Sequence, residues 1–141
     1  MSVRSEIIET VNKLFIYTDE KQWDKLCEEI FDKEVFLDMS SIKGETGLKT
    51  AREICNIWED EFKDIDEVYH LVGNYIVETE RNGASVFAYA TASHYKATAK
   101  HGKTREFKGS YNLHIVLNAN GWRIDQLKYN LKFISGNQNL D

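Results

Sequence analysis

The hydrophobic period of this chain changes once, near Asp66, and that change limits the fold more than any other feature. Before it, apolar residues recur every three or four positions; after it, they alternate to the end. A period near 3.6 lines up side chains along one side of a helix, and a period of 2 puts alternate side chains on one face of a strand. Helices first and strands second predicts an α+β domain, with helices gathered on one face of an antiparallel sheet. At 141 residues the chain is expected to form a single domain, 1–141, around one core.

Ile7, Ile8, Val11, Leu14 and Phe15 predict a first helix from Ser2 to about Thr18. Trp23, Leu26, Cys27 and Ile30 predict a second, from about Glu20 to Ile30, with Asp19 and Gln22 spaced as a capping box at its start. Glu34 to Met39 reads as a short strand. A loop holding Gly44 and Gly47 then leads to a third helix, from about Leu48 to Phe62. Strands are expected at about Tyr69–Glu80, Val86–Thr98, Arg105–Asn118 and Trp122–Ile134, joined by hairpin turns around Asn82-Gly83, Lys100-His101-Gly102 and Asn120-Gly121. The lack of proline suits long unbroken strands.

A net charge of −5 argues against nucleic acid or an anionic membrane as partner. The basic cluster of Lys96, Lys100, His101, Lys103, Arg105 and Lys108 reads as a solvated hairpin tip. No apolar run approaches twenty residues and the N-terminus lacks a signal-peptide core, so a soluble cytoplasmic protein is expected. Cys27 and Cys55 lie among apolar residues at helical spacing and are expected to be buried thiols, as in a reducing compartment. Both faces of the sheet carry apolar residues. The helices cover one face, so a second copy of the chain is expected on the other as a two-fold homodimer, unless a barrel-like curl hides it.

Counted along each strand without a bulge, His70, His94, Ser110 and Asn112 fall on the helix-covered face, together with Val72, Asn74 and Ile76. Ala88, Ala90 and Ala92 leave volume above the sheet for a pocket. Asp19, at the end of the first helix, is placed to reach it. A carboxylate beside an imidazole holds its tautomer and prepares it for proton transfer. Each residue also has a purely structural reading: Asp19 as a helix cap, the strand histidines as paired core residues, Ser110 and Asn112 as ordinary hydrogen-bonding groups. His114 is expected at the far edge of the pocket, and Trp23, Trp58 and Trp122 in the core. There is no metal-ligand spacing, phosphate loop, dinucleotide fingerprint or nucleophile elbow, so neither metal nor cofactor is expected.

The series Asp19-Glu-Lys-Gln-Trp23-Asp24-Lys-Leu26, Phe36-Leu37-Asp38, His70-Leu-Val-Gly73, His94, Ser110-Tyr-Asn112-Leu-His114 and Gly121-Trp122-Arg-Ile124 resembles the SnoaL-like branch of the nuclear transport factor 2-like superfamily, and within it the scytalone dehydratases. The resemblance runs over nearly the whole chain. It implies a cone, in which a curved sheet is closed by three helices around a mostly apolar cavity for a small molecule. It matches Asp19, His70 and His94 to a catalytic carboxylate and two histidines, and Ser110 and Asn112 to substrate contacts. At two further substrate-contacting positions, where those enzymes use tyrosines to polarise a carbonyl through water, this chain has Thr18 and Met39. On that pattern His94 is the base and returns its proton to the leaving hydroxyl, His70 with Asp19 orients a water or polar group, and Ser110 or Asn112 receives the carbonyl oxygen. The implied function is a cofactor-independent dehydratase or isomerase acting on a small apolar cyclic or polyketide-like carbonyl compound. The alternative is a non-catalytic dimeric binding module on the same fold.

Overall fold

The computed structural model describes residues 2–141. The first helix, α1 (Val3–Asp19), starts where the Ser2 side chain accepts the Ser5 N–H, and it buries the stripe Ile7, Val11, Leu14, Phe15 and Thr18. After the turn at Lys21, whose φ is +55°, comes α2 (Trp23–Lys25), a single α turn that runs into a π-helical turn, Leu26–Ile30. The expected capping box at its start does not form: Gln22 is the N-cap and no side chain caps the helix. Asp19 is engaged elsewhere.

Strand β1 (Phe31–Asp38) is followed by a 3₁₀ turn, Ser40–Ile42, and a short strand, β2 (Thr46–Thr50), that pairs antiparallel with β1. Helix α3 therefore runs Ala51–Phe62, not from Leu48. Thr50 accepts the Glu53 N–H while Glu53 accepts the Thr50 N–H, a reciprocal cap that sets the helix start. Leu48 had the right spacing for a helix but lies in β2, 63% exposed.

The rest of the chain is the meander β3 (Glu67–Glu80), β4 (Gly83–Tyr95), β5 (Thr104–Asn118) and β6 (Gly121–Gly136). Strand order is β2-β1-β6-β5-β4-β3, antiparallel throughout except where β1 lies parallel to β6. Register shifts on β6 opposite Lys108/Gly109 and His114/Ile115 bend this six-stranded sheet around the helices. The core between the layers holds Ile7, Val11 and Leu14 of α1, Ile54 and Cys55 of α3, and Val35, Leu37, Ile115, Ile124 and Leu127 of the sheet.

Two details of register decide which residues face that core. Near the β3–β4 turn, Val77 pairs with Val86 and Ile76 with Phe87; further along, Gly73 pairs with Tyr89 and His70 with Ala92. Asn74 and Tyr75 thus oppose Ala88 alone, a β-bulge, with Asn74 at φ +56°. Without the extra residue His70 would pair with Ser93 and point away from the core. The bulge turns His70 and Val72 inward, while Asn74 and Ile76, expected beside them, face out. On the next hairpin, residues 96–103 separate the paired Tyr95 and Thr104, so Arg105 lies opposite His94, Phe107 opposite Ala92, and Tyr111 opposite Ala88. Ser110 and Asn112 pair with Tyr89 and Phe87 on the outer face. That corrects their expected place beside the histidines: an even number of loop residues reverses the parity assumed from a turn centred on His101.

A left-handed backbone costs a β-branched residue about 1–2 kcal/mol and glycine nothing. Asn74→Val is expected to lose about that much in urea denaturation, and Asn74→Gly to stay within about 0.5 kcal/mol of the wild type. Equal stabilities for the two variants would show that the bulge is not held at this residue.

Candidate active site

Between helices and sheet lies a cavity of about 700 Å³. Its wall is mostly apolar, with Leu14, Phe15, Trp58, Phe62, Phe107 and Leu131 among its residues, and His70, His94, Arg105, Lys43 and Glu61 are among the polar groups that interrupt it. Thr18 and Met39 also line it, but the Thr18 hydroxyl donates to the Leu14 carbonyl at 2.7 Å, so its proton is already engaged. The floor is Tyr111 and Tyr129, rings 4.9 Å apart, with Tyr129 Oη enclosed and unpartnered. It lies where a Cβ on Gly109 would come within 2.6 Å, so the space depends on that glycine.

Asp19 is the last residue of α1, where the helix dipole disfavours a carboxylate by about 0.3–1 kcal/mol. Its partners outweigh that. The His70 backbone N–H donates to Oδ2 at 2.9 Å, and the ring Nδ1–H donates to Oδ1 at 2.5 Å. The two side chains are only 14% and 7% exposed. Lys21 Nζ donates to the carbonyls of Phe62 and Ile65, tying the end of α1 to the end of α3 and so placing Asp19. Phe15 packs on the His70 ring, centroids 5.1 Å apart. A carboxylate against Nδ1 holds the proton of a neutral imidazole on that nitrogen, which leaves Nε2 without one.

His94 lies on the adjacent strand two registers along, about 7–8 Å away by sheet geometry. It is enclosed by Phe62 and Phe107, with ring centroids at 5.4 and 5.2 Å. Its Nδ1 accepts the Arg105 Nε–H at 3.0 Å. Burial, then the Arg105 charge, then that of His70 push its pKa down to about 3. A neutral ring with an accepting Nδ1 carries its proton on Nε2. Arg105, expected on a solvated hairpin, is half-buried and lines the cavity, and burial lowers its own pKa. Counting the hairpin register would have found it.

Ser110 and Asn112 join Asn130 in a hydrogen-bonded row on the outer face. His114 is there too, not at the cavity edge, between Asp125 at 2.7 Å and Glu80. Burial alone would lower its pKa, but these two carboxylates raise it overall. Cys55 is buried, its thiol pushed up to about 12 by burial, while Cys27 is only partly buried. Among the described residues no three His, Cys, Asp or Glu side chains are grouped to hold a metal ion, and no helix is long and apolar enough to cross a membrane.

Known structures share the architecture. A Kribbella flavida protein, Kfla4162, superposes with a TM-score of 0.91 at 21% identity over 97% of this chain and 95% of that one. A Novosphingobium aromaticivorans protein provisionally named a scytalone dehydratase gives 0.81 at 14% identity, over 95% and 87%. A hexachlorocyclohexane dehydrochlorinase, LinA-type3 of Novosphingobium barchaimii, gives 0.77 at 12% identity, over 95% and 89%. At such identities the likeness is one of fold. No curated protein matches the sequence. The SnoaL-like domain family matches residues 1–128, and the chain belongs to that family.

Proposed function

We propose that the protein is a cofactor-independent lyase or isomerase that removes a carbon-bound proton from a small, mostly apolar cyclic substrate. The observation that carries this reading is the clamp of Asp19 on both N–H groups of His70 inside an apolar cavity. It leaves one imidazole nitrogen as a base, oriented from behind by a carboxylate and sheltered from water. In an elimination, the C–H proton passes to His70 Nε2 and the C–H electron pair becomes the new double bond. A departing hydroxyl takes the proton back from His70 and leaves as water, whereas a departing halide leaves as the anion. The names of the two lyase relatives cover both kinds of leaving group. Thr18 and Met39 serve as packing contacts for the substrate.

The test is alkene formation from cyclic β-hydroxy ketones and from chlorinated cyclohexanes. His70→Gln and Asp19→Asn are each expected to reduce kcat by about 10²–10⁴-fold, with the fold intact by circular dichroism. Turnover that survives both substitutions, or no turnover of either class, would contradict the reading and leave a binding module.

We also propose that a second copy of the chain covers the outer face of the sheet. Phe36, Tyr69, Leu71, Ile76, Tyr89 and Phe133 are exposed there, with Leu71 at 64% and Ile76 at 59%. A second pocket, of about 400 Å³, opens among Phe36, Ile76 and Phe87 on the same face. So much apolar surface on one face is unusual for a monomer. Sedimentation is expected to give twice 16.4 kDa for the wild type and the single-chain mass for Leu71→Glu/Ile76→Glu. A monomeric wild type would refute the dimer.

A further inference from the structure

The cavity holds a cation that the proton-abstraction scheme does not use. Arg105 Nε donates to His94 Nδ1, one Nη donates to the Gln138 carbonyl at 2.8 Å, and the guanidinium lies over the Phe107 ring at 5.4 Å. No carboxylate lies within ion-pair distance of it among the described residues. Glu61, on the cavity wall, attracts it from further off.

We propose that Arg105 is a positioning residue that holds the single proton of His94 on Nε2, so that His94 donates a hydrogen bond to an oxygen of the substrate. This rests on the elimination reading and narrows its substrates to compounds that carry a carbonyl or comparable acceptor oxygen near the acidic C–H. The two histidines then differ in role because their Nδ1 partners differ. A carboxylate on His70 Nδ1 makes Nε2 a base; a guanidinium on His94 Nδ1 makes Nε2–H a donor. When His70 takes the proton, negative charge grows on the substrate oxygen, and a neutral imidazole donor stabilises it without itself supplying a proton. The arrangement fills the gap left by Thr18 and Met39, and by Ser110 and Asn112 on the outer face. The charged groups facing His94 are Arg105 from β5 and His70 from β3, with Asp19 of α1 behind His70 and Glu61 of α3 toward Arg105. Arg105 and a protonated His70 both oppose a second proton on His94.

Histidine-¹⁵N spectra test this without turnover. In the wild type His94 is expected to show one neutral tautomer, protonated at Nε2, with flat shifts from pH 8 down to about pH 4.5. Its Nε2–H signal should move with 1-tetralone, an aromatic ketone, and not with tetralin, the hydrocarbon of the same frame. Arg105→Met is expected to mix the two tautomers of the neutral ring. It should also cut the preference for 1-tetralone over tetralin by about tenfold, the worth of one good hydrogen bond. Arg105→Lys, which keeps an N–H donor and the charge, should restore both to within about threefold. A wild-type His94 protonated on Nδ1, no ketone preference, or an unchanged tautomer in Arg105→Met would each overturn the proposal. Should Arg105→Met fail to fold, the wild-type spectra and Arg105→Lys decide it. If His70 supports turnover while His94 carries its proton on Nδ1, this inference fails and the lyase reading stands. The expected spectra without turnover would refute only the lyase reading.

Discussion

The candidate site depends on a single extra residue in β3. Side chains alternate strictly along a strand, so the hairpin at Glu80 and Gly83 would send His70 to the outer face. The bulge at Asn74 reverses the alternation, and everything N-terminal to it in β3 changes face. Val72 then joins the core side, His70 meets Asp19, and Ile76 is left on the face that the dimer proposal covers. A local backbone irregularity therefore sets both the chemistry inside the cavity and the apolar character of the opposite surface.

With the histidines on one face, their different surroundings separate them chemically. Asp19 stands at the unfavourable end of α1, and its two bonds to His70 explain why a carboxylate is tolerated there. Arg105 stands beside a ring already buried among aromatic residues, where a second positive charge is doubly disfavoured. The first arrangement suits the proposed base and the second the proposed donor. Both rings line one cavity, and each is itself largely buried, where low dielectric strengthens its hydrogen bonds.

Periodicity reported the element types well, because helix and strand burial follow the side-chain repeat directly. Three helical segments, an early short strand and four long strands all appear in the structure. It was weaker where a cap outweighs a pattern: Leu48 fits the stripe of α3, yet the reciprocal Thr50 and Glu53 bonds start the helix after it. Asp19 and Gln22 had capping-box spacing, but the carboxylate is more strongly held by His70. The site was half legible. His70 and His94 line one cavity, with Asp19 bonded to His70 from behind, while Ser110 and Asn112 lie on the outer face. Facing across a hairpin depends on an odd or even loop count and on bulges, and neither leaves a hydrophobic signature. Arg105 was hidden for the same reason, since a basic residue near a turn looks solvated until its strand partner is known.

The account rests on where one proton resides. In histidine-¹⁵N spectra at neutral pH, His70 is expected to carry its proton on Nδ1, at the low field of a short bond to a carboxylate, with Nε2 bare. That low-field signal should vanish in Asp19→Ala. A His70 ring protonated at Nε2 with Nδ1 bare, or a signal indifferent to Asp19, would contradict it.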